Sequence, residues 1–251
     1  TLSRTVRDAA LTFNLMQGID AADLATSGTP TGIDYTALLS NDALQGKRIG
    51  YPVAYVGANG KPLTPGVEFL MAMAAMQEQG ATIVPVTVRL PDIDGYIPSL
   101  MGGMKHELPE YFASRPDLPV QSLQALIDFN KTNPGTEGHG QTMLEAINDM
   151  DMTHDQARAS LATISEKFKG AIDEQLQEHN LDAMVAEADG YSQFAAAVAG
   201  YPAITVPSGM DDDGLPTSVF FFGKAWSEPQ LFAMAYSYEQ ASAELHHPAF
   251  K

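Results

Sequence analysis

The chain contains six histidines, and no two of them stand at a spacing that zinc enzymes use. His106, His139, His154 and His179 are scattered, and His246-His247 form an isolated pair. A zinc site needs three or four converging ligands, and without an HExxH helix or a His-x-His strand nothing gathers them. Cysteine is absent, which excludes thiol nucleophiles, disulfides and thiolate metal sites. No serine lies in a G-x-S-x-G elbow. Gly60-Lys61 is followed by Pro62, which removes both the hydroxyl and the helix start of a phosphate-binding loop. Gly135, Gly138 and Gly140 lack the dinucleotide-binding spacing. The acid pairs Asp149/Asp151 and Asp211–Asp213 are neighbours in turns, and their carboxylates point into water instead of facing each other across a cleft. The residue types and spacings by themselves therefore nominate no catalytic residue, no metal site and no cofactor.

The elements that would have to position any site read as α/β. Val6, Ala10, Phe13 and Met16 recur at helical spacing, with a stop at Gly18. Lys47 to Val53 reads as a strand. Thr64-Pro65 reads as a helix start, with Thr64 as the cap and Pro65 at the first helical position, for a helix ending at Gly80. Ala81 to Val88 is β-branched, and Pro85 marks it as an edge or a bulge. Strand, helix and strand in that order form a βαβ unit with parallel pairing. The stretch at about 99–150 reads as a helical insertion, cut by Pro109, Pro116, Pro119 and Pro134.

Beyond it, Thr153 and Gln156 form a capping box that opens a long helix carrying Leu161, Ile164, Phe168, Ile172 and Leu176, with Asn180 as its end. Asp182 to Ala186 is a short buried strand, and Tyr191 to Ala199 a helix of small residues. Ala203 to Val206 is a strand ended by Pro207. An acidic turn at Asp211–Gly214 leads to a strand ending in Phe220-Phe221-Phe222. A second capping box, Ser227 and Gln230, opens a last helix with Leu231, Met234, Tyr238 and Ala241 on one side.

Residues 1–251 are expected to form a single α/β unit. The net charge of −17 argues against nucleic acid and anionic membrane as partners. The longest apolar run, Phe69 to Met76, is far shorter than the roughly 20 residues of a membrane-spanning helix.

Three stretches carry a family resemblance: Ser3 to Thr26 (SRTVRDAALTFNLMQGIDAADLAT), Leu181 to Ala186 (LDAMVA), and Ala199 to Ser242, which opens AGYPAITVPSGM. In this order and spacing the chain resembles the C-terminal half of amidase-signature hydrolases. The resemblance implies a mixed β-sheet layered between α-helices. It also implies hydrolysis of the C–N bond of linear amides by a serine nucleophile, a second serine with a cis peptide bond, and a lysine relay. Those groups belong to the family's N-terminal half, in a Gly-Gly-Ser-Ser-Gly-Gly type loop and an upstream strand. This chain has no Ser-Ser dipeptide, so no catalytic role passes to Lys47, Lys61, Lys105 or any other residue here.

What the resemblance does place is a substrate-pocket border at Gly190, Tyr191, Ser192 and Phe194, after the LDAMVA strand. There the family usually turns through Thr-Pro, and this chain has Ala186-Glu187-Ala188-Asp189. Two functional readings follow. One is an amidase fragment, inactive alone, that meets a small-molecule amide only when an N-terminal half completes it. The other is a non-catalytic small-molecule binding or interaction module derived from an amidase. Neither needs a cofactor. A cytoplasmic location and a homo-oligomer are expected, the latter because half a sheet leaves edges unpaired.

Overall fold

The computed structural model describes residues 1–56, 63–133, 135, 140–188 and 191–245. The chain divides into two compact units, Thr1–Pro91 with Lys167–Lys251, and Asp92–Glu166. The first, the sheet unit, holds five strands: β1 (Arg48–Val56), β2 (Thr82–Arg89), β3 (Ala183–Glu187), β4 (Ala203–Met210) and β5 (Pro216–Phe222). Their order across the sheet is β2-β1-β3-β5-β4. Its helices are α1 (Val6–Met16) and α2 (Val67–Glu78), with α7 (Tyr191–Ala199) and α8 (Glu228–Ser242) later in the chain. The second, the helical unit, holds α3 (Tyr96–Ala113), α4 (Leu123–Thr132) and α5 (Thr142–Asp149). Helix α6 (His154–Glu178) begins in the helical unit and ends in the sheet unit.

The βαβ unit forms as its pattern predicts. β1 and β2 pair in parallel from Arg48↔Thr82 to Val56↔Arg89, and α2 makes the crossover. Pro85 sits in β2, an edge strand, where a missing donor costs least. β3 joins β1 in parallel at Ile49↔Ala183. β5 then pairs antiparallel with both β3 and β4, so the sheet is mixed. The hairpin turn between β4 and β5 is closed by the Asp211 carboxylate, which accepts from the N–H groups of Asp213 at 3.0 Å and Leu215 at 2.8 Å. Gly214 takes the left-handed conformation this turn needs, with φ 77°.

Four local expectations are corrected by tertiary contacts. The α2 helix starts at Val67 with Gly66 as its cap, not at Thr64-Pro65. The Gly66 N–H donates to Glu187 Oε1 at 2.9 Å, and a Cβ at Gly66 would sit 2.8 Å from that oxygen. A carboxylate at the end of β3 thus decides where the helix begins. Ser227 does not cap α8, because its hydroxyl donates to the Lys224 carbonyl at 2.7 Å. Pro207 does not end β4, which continues to Met210 through a register shift between Pro207 and Gly209. An edge strand tolerates proline at a bulge. Pro109 does not end α3, which runs through it. Met101 and Leu108 before it and Phe112 after it are packed, and that packing outweighs one lost helix hydrogen bond. Ala241, expected on the buried side of α8, is exposed. The Thr153/Gln156 box does form, with Thr153 N–H to Gln156 Oε1 at 2.9 Å and Gln156 N–H to Thr153 Oγ1 at 3.2 Å.

Candidate functional site

Because β1 and β3 are parallel, their carboxyl ends lie side by side, where open α/β sheets place ligand loops. The stretch expected to border the pocket follows β3 directly. Gly190 lies outside the described residues. The other three side chains go different ways. Tyr191, the first residue of α7, is 46% exposed, and its ring stands 5.4 Å from that of Tyr55 near the end of β1. Ser192 turns inward and is buried, with its hydroxyl hydrogen-bonded to the Tyr55 hydroxyl. Phe194 is half-buried and meets Phe168 edge-on at 5.8 Å between centroids. Burial holds the Tyr55 phenol above its ordinary pKa, partly offset by the Ser192 hydrogen bond. The pair therefore stays neutral and fastens α7 to β1. The space around Ser192 measures about 10 Å³, at most one water site, so no ligand enters behind Tyr191.

Tyr55 gives no sign of this role in the sequence. It is one more apolar-facing position in a strand. Glu187 was marked only by the departure from the family's Thr-Pro turn. With Glu68, Ser208, Asp211 and Ser218 it lines a depression of about 360 Å³.

A larger cleft of about 520 Å³ lies along β4, beside Thr1–Thr5 and α1 and over α8. Leu231 and Phe232 form part of its lining, together with the carboxylates of Glu228 and Glu239. Burial raises the pKa of both acids. Glu239 accepts from the Val6 N–H at 2.8 Å.

In the helical unit, His106 donates through Nε2 to the Met152 carbonyl at 2.8 Å, and His154 Nε2 lies 3.3 Å from Glu107 Oε1. The two imidazoles stack at 5.6 Å. Among the described residues, no group of three or more His, Cys, Asp or Glu is placed to hold a metal ion. His139, His246 and His247 lie outside the described residues. No helix among the described residues is long and apolar enough to cross a membrane.

No family model matches the chain. Individual proteins do. A probable amidase of Arabidopsis thaliana is 28% identical over 99% of this chain and 49% of its own length. The solved structure of an amidase family protein from Bacillus anthracis is 32% identical, superposes with a TM-score of 0.84, and is matched by 96% of this chain over 48% of its own. The native peptide amidase of Stenotrophomonas maltophilia is 34% identical with a TM-score of 0.78, over 96% of this chain and 52% of its own. The chain belongs to the amidase-signature family. It spans about half the length of the relatives it matches.

Within this amidase-signature half, the well-placed hydroxyls are bonded to groups that cannot activate them. Ser192 pairs with Tyr55, Ser208 with Thr217 at 3.0 Å, Ser227 with the Lys224 carbonyl and Ser237 with the Asn41 carbonyl at 2.6 Å. A nucleophilic serine needs a base within hydrogen-bond reach, and none of these partners is one.

Proposed function

We propose that this chain is the pocket-wall half of an enzyme hydrolysing linear amides, and that it does not turn amides over alone. The observation that carries the reading is the fit of nearly the whole chain onto about half of a solved amidase family protein, at a TM-score of 0.84. The hydroxyl pairings above support inactivity of the isolated chain. In this reading the serines and lysine of the chemistry come from residues beyond this sequence. Residues 1–251 act as one part of the amidase domain, with the helical insertion at about 99–150. Gly190, Tyr191, Ser192 and Phe194 border the acyl side of the substrate. Tyr191 presents its ring to the ligand, and Ser192 and Phe194 hold the helix behind it.

Self-association of the isolated chain belongs to the same proposal. Val67, Leu70 and Met71 form an exposed apolar stripe on α2, and such stripes seek cover. A cytoplasmic setting fits the same reading. The test is hydrolysis of a simple aryl amide and of a C-terminal peptide amide by this chain, beside a longer polypeptide that also carries a Gly-Gly-Ser-Ser loop. No turnover above buffer is expected from the chain alone, since a site without nucleophile or base retains little catalysis. The longer polypeptide should be active. Comparable rates from both would overturn the proposal.

A further inference from the structure

The two edges of the sheet are protected unequally. β2 carries Pro85 in its middle. β4 has neither proline nor charge from Ala203 to Val206, and among the described residues no strand pairs with its outer side. Four residues of open edge span about 13 Å at roughly 3.3 Å per residue. Bare edges of this kind template further pairing unless something covers them. The 520 Å³ cleft runs beside this same stretch, lined by Ile204 and Thr205 of the strand and by Phe13, Leu231 and Phe232. An extended segment laid there would gain main-chain hydrogen bonds from β4 and apolar contact from the helices.

We propose that this edge receives an extended strand from the remaining half of an amidase-length protein, with a basic side chain opposite Glu228. The proposal rests on the reading of the chain as half of an amidase. Two features choose this occupant. The relatives are about twice as long as the chain, so chain of the same fold is available to fill the cleft. The cleft is also acidic: Glu228 and Glu239 both line it, and among the described residues no ion pair involves Glu228. Burial without a cation leaves Glu228 harder to ionise than an ordinary glutamate, a cost that an incoming Lys or Arg would remove. A second copy fits less well. Pairing two β4 edges would bring acidic clefts together on chains of net charge −17, and like charges facing each other across an interface disfavour docking.

The test mixes this chain with a separately produced polypeptide, the part of the Stenotrophomonas maltophilia peptide amidase that the chain does not match. Sedimentation and amide hydrogen exchange are read, not activity. The expected result is a one-to-one complex in which the amides of residues 203–206 exchange at least about tenfold more slowly, while those of β3 change little. Glu228→Lys should weaken the complex about tenfold, and Glu228→Gln less, since it keeps the shape and removes only the charge. Four results would overturn the proposal: no complex, a complex without protection of β4, protection of β4 by self-association, or Glu228→Lys binding as tightly as the unaltered chain. A complex protected at β4 that fails to hydrolyse amides would uphold the docking site and defeat the functional reading. Restored hydrolysis without β4 protection would do the reverse.

Discussion

In the sheet unit, Ile49, Val185, Phe221 and Tyr238 are all fully buried within one cluster that joins α1, α2, the strands and α8. In the helical unit the corresponding cluster is Leu123, Ile127 and Ile147, with Met101, Leu108 and Leu144 half-buried around it. The sheet unit buries residues far apart in sequence against each other, as when Val6 N–H meets Glu239. The helical unit depends more on local devices: the Ser122 hydroxyl capping α4 through the Ala125 N–H at 3.0 Å, the Thr153/Gln156 box, and the exposed Lys131–Glu145 pair at 3.0 Å. The difference teaches where damage should spread. A long-range core fails as a whole, and a small core propped by local signals opens by itself.

Phe221→Ala should break the comparison hardest. It removes a fully buried ring that meets Tyr238 at 5.9 Å, and should cost about 3–5 kcal/mol. Chemical denaturation should show the loss in every probe of the sheet unit at once. If only amides near β5 opened, the sheet core would not be one cooperative block. Ile147→Ala comes next, at about 2 kcal/mol, the low end for such truncations because its small cluster can close around the gap. Hydrogen exchange should quicken within residues 92–166 and leave the strands unchanged. Equal acceleration in β3 and β5 would show that the two units unfold together.

Thr153→Ala should cost about 1 kcal/mol by losing the box at the start of α6, and fraying should stay in the first turn. A circular-dichroism melt and exchange at residues 153–157 would read it.

The smallest effect belongs to Glu228. Burial raises its pKa in the folded chain, so the folded state holds the proton more tightly than the unfolded state. The stability this adds is complete below the ordinary glutamate pKa and is lost as pH rises through the raised value. Glu228→Gln should flatten that part of the stability–pH curve and leave the chain slightly more stable at neutral pH. Denaturation midpoints measured across the mildly acidic range would check it, and an unchanged slope would show that the carboxylate is solvated after all.

Some elements were legible because their causes lie within a few residues. The Thr153/Gln156 box needs only a three-residue spacing, and the β-branched run with Pro85 announces an edge strand wherever it falls. The mixed sheet was legible through the family resemblance, not through periodicity. The alternatives that failed were local signals outbid by distant groups. Glu187 claims the Gly66 N–H from across 121 residues of chain, and so moves the start of α2 past Thr64-Pro65. The Lys224 carbonyl claims the Ser227 hydroxyl that a capping box would have used.

The candidate site divides along the same line. Order along the chain placed the Gly190–Phe194 stretch directly after β3, and parallel pairing of β1 with β3 follows from the residues between them. Nothing in that order says which side chain faces out. Tyr55 stands 137 residues from Ser192, and their hydrogen bond turns Ser192 inward and leaves the Tyr191 ring at the surface. The sequence alone determined the family, the absence of a Ser-Ser loop and the acidity that excludes anionic partners, because these are properties of residue type and spacing. The tertiary structure decided the direction of Tyr191, the start of α2 and the acidic cleft beside β4. Each of these depends on which distant backbone or hydroxyl group reaches a hydrogen-bond partner first, and that competition is settled only when the chain is packed.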